Sequence, residues 1–387
     1  MKEYYLDNAA TTRPMPEVVE VIDKVLSEDW GNPSSLHKKG HDAELYLKHA
    51  SEVMAKILKV ETESVYFTSC ATESINTALL GAAMKKRKQG RHILTVKGEH
   101  AATRETLKRL KENGFEIEAV ENGPDGKVLL DSLKDKLRED TILFTCLHVN
   151  NETGVIQPIE EIGALLKSQA PEVLFHVDAT QSFCKLPIYP KKYGIDMLSA
   201  SAHKINGPKG IGLMYVRRDL HLPALLTGGG QQSHFRSGTE NVPYIAGFAV
   251  AAETLWNSHE EVTSQMAVLK KTAAERLTSE LNGVKVNGPA ISEGVPYILN
   301  LQIDGVRSEV LLHALEDHGV YVSSGSACSS NKPTEKSPAL SALGLNKDQI
   351  DHSLRVSLDR YSTMEDVEAL ITAVEAEVPM LRRFVRK

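Results

Sequence analysis

Lys204 follows His203 where an apolar strand runs out, in Ser199-Ala-Ser-Ala-His-Lys204. Lysine is among the least buried residue types, so a lysine at the end of an apolar strand calls for a reason. The plain reason is a solvated loop residue. The chemical reason is a Schiff-base amine, kept near a basic neighbour that favours its neutral form. Upstream, Phe175-His-Val-Asp178 ends another apolar run with a carboxylate, and Gln181 follows. A carboxylate there needs a cationic or hydrogen-bonding partner. Gly98-Glu-His100 puts an imidazole at a third strand end. Thr68-Ser-Cys-Ala-Thr72 puts hydroxyls and backbone N–H groups at a helix start. Such a start is a ready anion site, although Ser and Thr there commonly only cap. Val149-Asn-Asn-Glu-Thr-Gly154 adds adjacent amides, whose default role is a turn. Cys328 sits in Ser323-Ser-Gly-Ser-Ala-Cys-Ser-Ser330, a run of small residues leading into the polar stretch 329–338. A thiol in such a place is a reactive candidate, unlike Cys146 and Cys184 among apolar neighbours.

An anion cradle, an aromatic ring, an acid and a lysine at strand ends form a recognisable set. Pyridoxal 5'-phosphate requires a phosphate site, a ring-stacking group, an acid on the pyridinium nitrogen and a Schiff-base lysine. The elements that must hold these groups alternate. Residues 65–68, 92–96, 115–120, 141–149 and 173–177 read as short apolar strands, and 196–216 as strand, turn, strand. Helical spacing marks 17–26, 71–84, 101–113, 159–168, 242–256, 266–281 and 308–318. This pattern predicts an α/β fold: a mostly parallel sheet with helices on both faces, plus a smaller α+β domain. Ligands in such sheets sit beyond the carboxyl ends of the strands. The later strands fall at 297–303, 320–323 and 354–358, and Ser362-x-x-Glu365 reads as a capping box opening the last helix. The expected domains are a large cofactor-binding unit, 16–257, and a small unit of 1–15 with 258–387. The small unit carries the Cys328 loop, about 324–338.

Composition narrows the partners. A formal net charge of −6 over 387 residues argues against nucleic acid as the main partner, without excluding a local basic patch. No run of apolar residues is long enough to span a membrane. The opening residues carry no apolar signal region. The four cysteines are far apart and form no C-x-x-C pair, so a cytoplasmic protein with free thiols is expected. His37 and His41 lie one helical turn apart but lack an acidic third ligand, and they read as surface or packing residues.

At this point the chain resembles the class I (NifS/IscS-type) cysteine desulfurases, fold-type I pyridoxal-phosphate enzymes, over essentially its whole length. The stretches that carry the resemblance begin with Tyr5-Leu-Asp-Asn-Ala-Ala-Thr-Thr12, Gly31-Asn-Pro-Ser-Ser-Leu-His37 and Phe67-Thr-Ser-Cys-Ala-Thr-Glu-Ser74. They continue with His148-Val-Asn-Asn-Glu-Thr-Gly154, His176-Val-Asp-Ala-Thr-Gln181, Ser201-Ala-His-Lys204 and Arg236-Ser-Gly-Thr-Glu-Asn241. The Cys328 run and Arg355-Val-Ser-Leu358 complete the series.

The resemblance implies roles. Lys204 would be the Schiff-base lysine, Asp178 the partner of the pyridinium nitrogen, and Gln181 the partner of the ring's phenolate oxygen. His100 would stack on the ring and move protons. Ala71, Thr72, Ser201 and His203 would bind the phosphate, with Thr239 reaching it from the second subunit of a homodimer. Asn32, Asn151 and Arg355 would bind substrate, Asn151 and Arg355 clamping its carboxylate. Cys328 would be the nucleophile that takes sulfur from L-cysteine, releases L-alanine and passes a persulfide to an acceptor protein. That acceptor would serve iron–sulfur cluster assembly or tRNA or thiamin thiolation. No resident metal is implied, Cys328 ligating a cluster only transiently, and neither nucleic acid nor membrane is a direct partner. The alternative is another pyridoxal-phosphate lyase, such as a selenocysteine lyase or cysteine β-lyase. Two positions depart from the family pattern. Cys70 stands where the phosphate loop usually has glycine, which costs strain if φ is positive there. Asp359 stands near Arg355 and is expected to pair with Arg355 or Arg360.

Overall fold

The computed structural model describes residues 2–324 and 337–384. Its strands are β1 (Tyr4–Tyr5), β2 (Val65–Thr68), β3 (His92–Val96), β4 (Glu116–Val120), β5 (Thr141–Leu147) and β6 (Leu174–Asp178). Then come β7 (Met197–Ser201), β8 (Gly212–Val216), β9 (Val284–Val286), β10 (Ile298–Ile303), β11 (Val320–Tyr321) and β12 (Ser353–Ser357). The helices that open the chain are α1 (Pro16–Ser27), α2 (Lys38–Leu58), α3 (Ala71–Lys86), α4 (Ala101–Glu112), α5 (Leu130–Lys136) and α6 (Ile159–Gln169). They are followed by α7 (Pro190–Tyr193), α8 (Val242–Asn257), α9 (His259–Glu280), α10 (Ser308–Glu316), α11 (Pro338–Ala342), α12 (Lys347–Asp351) and α13 (Met364–Arg382).

Seven strands form one sheet in the order β2-β8-β7-β6-β5-β3-β4. All run parallel except β8, which is antiparallel to both of its neighbours. Every residue of β5, β6, β7 and β8 is buried, as expected for strands covered on both faces. The edge strand β4 is mostly half-exposed. Because β2, β3, β5, β6 and β7 point the same way, their carboxyl ends share one edge. A second sheet, β12-β10-β9, is antiparallel, and β1 pairs in parallel with β11. Among the described residues up to 15, this two-residue strand is the only strand. Beyond it the backbone bridges Asp7 to Ser357 and ties Thr12 to His203.

Local signals misplaced one helix start. The capping box of α13 is Thr363 with Asp366, one residue later than expected. Both Ser-x-x-Glu and Thr-x-x-Asp fit the pattern, and Ser362 is already committed, its Oγ accepting from the Asp359 N–H at 3.0 Å. The short elements α5, α7, β9, α11 and α12 carry too few periodic residues to be read from sequence. The structure lets Pro338 open α11, so the stretch read as loop up to 338 ends there.

Candidate active site

The shared strand edge opens on a cavity of about 220 Å³. Each strand end contributes: Thr72 after β2, His100 after β3, Asn151 after β5, Asp178 of β6, and Lys204 after β7. Arg355 of β12 lines the other side, and Ala9 and Ala10 reach in from the first segment.

Lys204 lies in a tight turn of one 3-10 helix, Ala202–Lys204, held by Ile205 N donating to Ala202 O at 3.0 Å. The Thr12 hydroxyl donates to His203 O at 2.9 Å and accepts from Asn206 N at 2.7 Å, so the first segment clamps the turn. Lys204 Nζ donates to Ala9 O at 2.5 Å and Ala10 O at 2.7 Å. His203 does not act as the cationic neighbour expected from sequence. Burial, then the charge of Lys204, pushes its imidazole down to about 3, so the ring is neutral.

Asp178 Oδ1 accepts from the Thr180 N–H at 2.9 Å and from the Thr180 hydroxyl at 2.5 Å. Gln181 Nε2 donates to Ala9 O at 3.0 Å, while its Oε1 is buried without a hydrogen-bond partner among the described residues. A ring phenolate would need a donor, and the amide nitrogen keeps a second N–H beyond the one given to Ala9. His100 caps α4, its Nδ1 accepting from the Ala102 N–H at 3.2 Å, so a neutral ring carries its proton on Nε2. Burial lowers the His100 pKa, with the Asp178 charge opposing it.

Beside His100 lies an unforeseen group, Glu99, 3% exposed. Its Oε1 accepts from Leu147 N at 2.9 Å and its Oε2 has no hydrogen-bond partner among the described residues. Burial, then repulsion from Asp178, pushes Glu99 up to about 8, so it carries a proton at neutral pH. A raised folded value favours the native state fully below the ordinary carboxylate range, and that stability is lost as pH rises through about 8. Glu99→Gln mimics the protonated acid. It is expected to keep kcat within about threefold at neutral pH. It should also flatten the fall in melting temperature between about pH 5 and pH 8. Identical melting profiles for the two proteins would mean that Glu99 is ionised throughout.

The anion cradle is the start of α3. Cys70 supplies no side-chain cap there, so the first N–H groups of the helix are left for another acceptor. Cys70 has φ −175°, extended backbone, and its departure from glycine therefore costs no strain. The glycine this loop does need is Gly212, opposite Thr68 and Ser201 in the register. A Cβ there would lie 2.5 Å from the Cys70 carbonyl carbon. Glu73 braces the loop by accepting from Ser69 N at 2.8 Å and from Arg236 Nε at 2.9 Å. Thr239, three residues beyond Arg236, is exposed and lies outside this cavity. Asn32 is also exposed and outside it, its Oδ1 accepting from Ser34 N at 2.9 Å. Asn32 thus shapes its own turn and does not line this chain's cavity with Asn151 and Arg355.

Arg355 is 1% exposed. Its Nη2 donates to Asp7 Oδ1 at 2.7 Å and its Nη1 to Asn151 O at 3.0 Å, while Nε lacks a hydrogen-bond partner among the described residues. Asp7, not Asp359, is the acid paired with Arg355. Asp359 instead accepts from Asn206 Nδ2 at 2.9 Å and from Tyr361 N at 2.9 Å. Asp359 therefore joins the Lys204 turn to the end of β12 without competing for the guanidinium.

Cys328 and most of its loop lie outside the described residues. The flanking positions are informative. Ser323 exchanges backbone hydrogen bonds with Arg355, at 3.1 and 2.7 Å. The Ser337 hydroxyl donates to Glu152 Oε2 at 2.6 Å, next to Asn151. Both ends of the stretch carrying Cys328 are therefore fastened at the Arg355–Asn151 side of the cavity. Cys146 and Cys184 are buried, and burial pushes both thiols up, away from reactivity.

Two histidine features are structural. His37 caps α2, its Nδ1 accepting from Gly40 N at 3.3 Å. His92, Glu116 and Glu118 come together at the start of β3 and β4, but Arg138 holds Glu116 and Lys136 holds Glu118, which makes an ion-pair network. Of the residues missed from sequence, Ala9 and Ala10 act through backbone carbonyls, Asp7 through its carboxylate, Thr180 through its N–H and hydroxyl, and Glu99 through its burial. Asp7, Ala9 and Ala10 lay within a quoted motif, yet nothing local told their roles.

A family profile described as Aminotransferase class-V matches residues 4–370. A putative cysteine desulfurase IscS 1 of Bacillus subtilis is 39% identical, covering 95% of this chain and 96% of that protein. A cysteine desulfurase IscS of Serratia proteamaculans is 41% identical, covering 98% of this chain and 93% of that protein. A solved NifS-like protein superposes with a TM-score of 0.92 at 35% identity, covering 98% of this chain and 100% of that one. A profile match spanning nearly the whole chain, full-length relatives and a common fold agree: the chain belongs to the class-V aminotransferase family, in its NifS/IscS group.

Proposed function

We propose that the protein is a pyridoxal-phosphate-dependent cysteine desulfurase. It converts L-cysteine to L-alanine and passes the sulfur, as a persulfide on Cys328, to an acceptor. The observation that carries this reading is the convergence of Lys204, Asp178, His100, Arg355 and the α3 start on one cavity. The donor set fits pyridoxal phosphate. An uncapped helix start suits a phosphate, a buried carboxylate braced by Thr180 suits a pyridinium, and a lysine amine lines the same cavity. Ala71, Thr72, Ser201 and His203 would hold the phosphate, Asp178 and Gln181 the ring, and His100 its face. Bound there, the cofactor supplies an electron sink conjugated to the substrate's α-carbon.

The chain's own residues do the rest. Arg355 binds the substrate carboxylate, with Asn151 beside it. Asp7 and the Asn151 carbonyl hold the guanidinium so that little side-chain freedom is lost on binding. Lys204 Nζ takes the α-proton and returns it to the same carbon once sulfur has left, and His100 Nε2 carries a proton. Cys328 thiolate attacks the substrate sulfur: an S–S bond forms as the C–S bond breaks, the electron pair of that bond goes to the β-carbon, and the β-carbon gains a proton to give the methyl group of alanine. The anchoring of Ser323 to Arg355 and of Ser337 to Glu152 supports Cys328 in this role. Thr239, exposed and outside its own cavity, supports the reading of a homodimer in which it reaches the second copy's phosphate. We retain the division into units 16–257 and 1–15 with 258–387 as part of this proposal.

Incubation with L-cysteine and dithiothreitol tests the reading. Alanine and sulfide in equal amounts are expected, whereas pyruvate and ammonia would mean β-elimination instead. Arg355→Gln should raise KM for cysteine about 100-fold through loss of charge-assisted bonds, with cofactor absorbance retained. An unchanged KM would remove Arg355 from carboxylate binding.

A further inference from the structure

Helix α4 turns one face toward α11. Arg104, Leu107, Lys108 and Lys111 recur at spacings of three and four, so they share that face. With Lys97, Pro338 and Ala342 they line an open groove of about 520 Å³. Its floor is apolar, made by Val96, Leu107 and Ile117. Its rim is cationic. Lys97 is met by Glu121, but Lys108 and Lys111 make no ion pair among the described residues. Glu99, the one acid among the described residues lining the groove, is buried and carries its proton at neutral pH. Positive charge is thus concentrated here on a chain whose formal net charge is −6.

An apolar floor under a cationic rim fits an acidic, amphipathic polypeptide, with apolar side chains in the groove and carboxylates at the edge. The position of the groove says which polypeptide. Helix α11 forms one wall and starts directly after Ser337, which is fastened to Glu152 beside the substrate side of the cavity. Eight residues lie between Cys328 and Ser337, so the two are joined by a span of at most about 30 Å. We propose that the groove between α4 and α11 is the docking surface for an acidic, thiol-bearing segment of the sulfur-accepting protein. This rests on the desulfurase reading and names the kind of partner that site serves.

The probe is a twelve-residue peptide with one cysteine, three leucines and five glutamates, compared with a counterpart in which lysines replace the glutamates. At low ionic strength the acidic peptide is expected to accept persulfide sulfur about tenfold faster than the basic one, and to lose that advantage at about 0.5 M salt. Lys108→Glu combined with Lys111→Glu should reverse the preference and leave dithiothreitol-supported alanine formation unchanged. Equal rates for the two peptides, or a preference that survives the double reversal, would overturn the proposal. So would binding of a single-stranded RNA 20-mer that the reversal abolishes while peptide rates stay equal, since the groove would then serve nucleic acid. Failure of dithiothreitol-supported turnover in the unmodified protein would instead sink the desulfurase reading, which keeps the two failures apart.

Discussion

Lys204→Ala is expected to lower alanine formation from cysteine by about 10,000-fold and to abolish the visible absorbance of lysine-bound cofactor. The effect is large because one amine serves two ends. It anchors the cofactor, and once displaced by substrate it is the base poised at the α-carbon. Among the described residues lining the cavity it is the one lysine, so no neighbour can substitute for it. The turn that carries it is held by backbone bonds and by Thr12, all of which survive the substitution. The variant should therefore fold, with a melting temperature within a few degrees of the parent. Lost activity in a folded protein that still takes up cofactor through the α3 start is the diagnostic result. Substantial turnover with the absorbance intact would remove Lys204 from the reaction.

Cys328→Ser separates cofactor chemistry from sulfur transfer. The variant should bind cofactor, and adding cysteine should still perturb the absorbance, because Lys204, Asp178 and Arg355 are untouched. Sulfide and alanine release should fall about 1,000-fold or more, since a hydroxyl is a far weaker nucleophile than a thiolate near neutral pH. The signature is a substrate-induced spectrum that forms and does not turn over. Cys146 and Cys184, buried with raised thiol pKa values, cannot replace it. Normal turnover in the variant would exclude Cys328 from the mechanism and point to Cys70, the remaining thiol, which lines the cavity.

Asp359 and Cys70 show where sequence comparison falls short. Both stand out as departures from a pattern, and a departure invites a cost. Whether it has one depends on a dihedral angle and on a neighbour. Cys70 is extended, so the missing glycine is harmless there. Asp359 is taken up by Asn206, which lies 153 residues away in sequence. His203 teaches the same lesson from the other side. Its residue type suggested a cation beside Lys204, but a desolvated ring next to a lysine stays neutral.

Sequence alone determined the alternation of strands and helices, and with it the edge on which Thr72, His100, Asp178 and Lys204 end up. It could do so because hydrophobic periodicity and chain punctuation are local, and parallel strands leave little choice of topology. It also singled out Cys328, whose run of small residues is legible without a fold. Only the tertiary structure decided what surrounds these groups. The carbonyl of Ala10 meets Lys204 across 194 residues, and Asp7 meets Arg355 across 348. The neutral carboxyl of Glu99 and the cationic groove beside α11 exist only because burial and packing bring distant segments together. Burial and long-range contact set charge state and partner, and neither is written in the spacing of a strand.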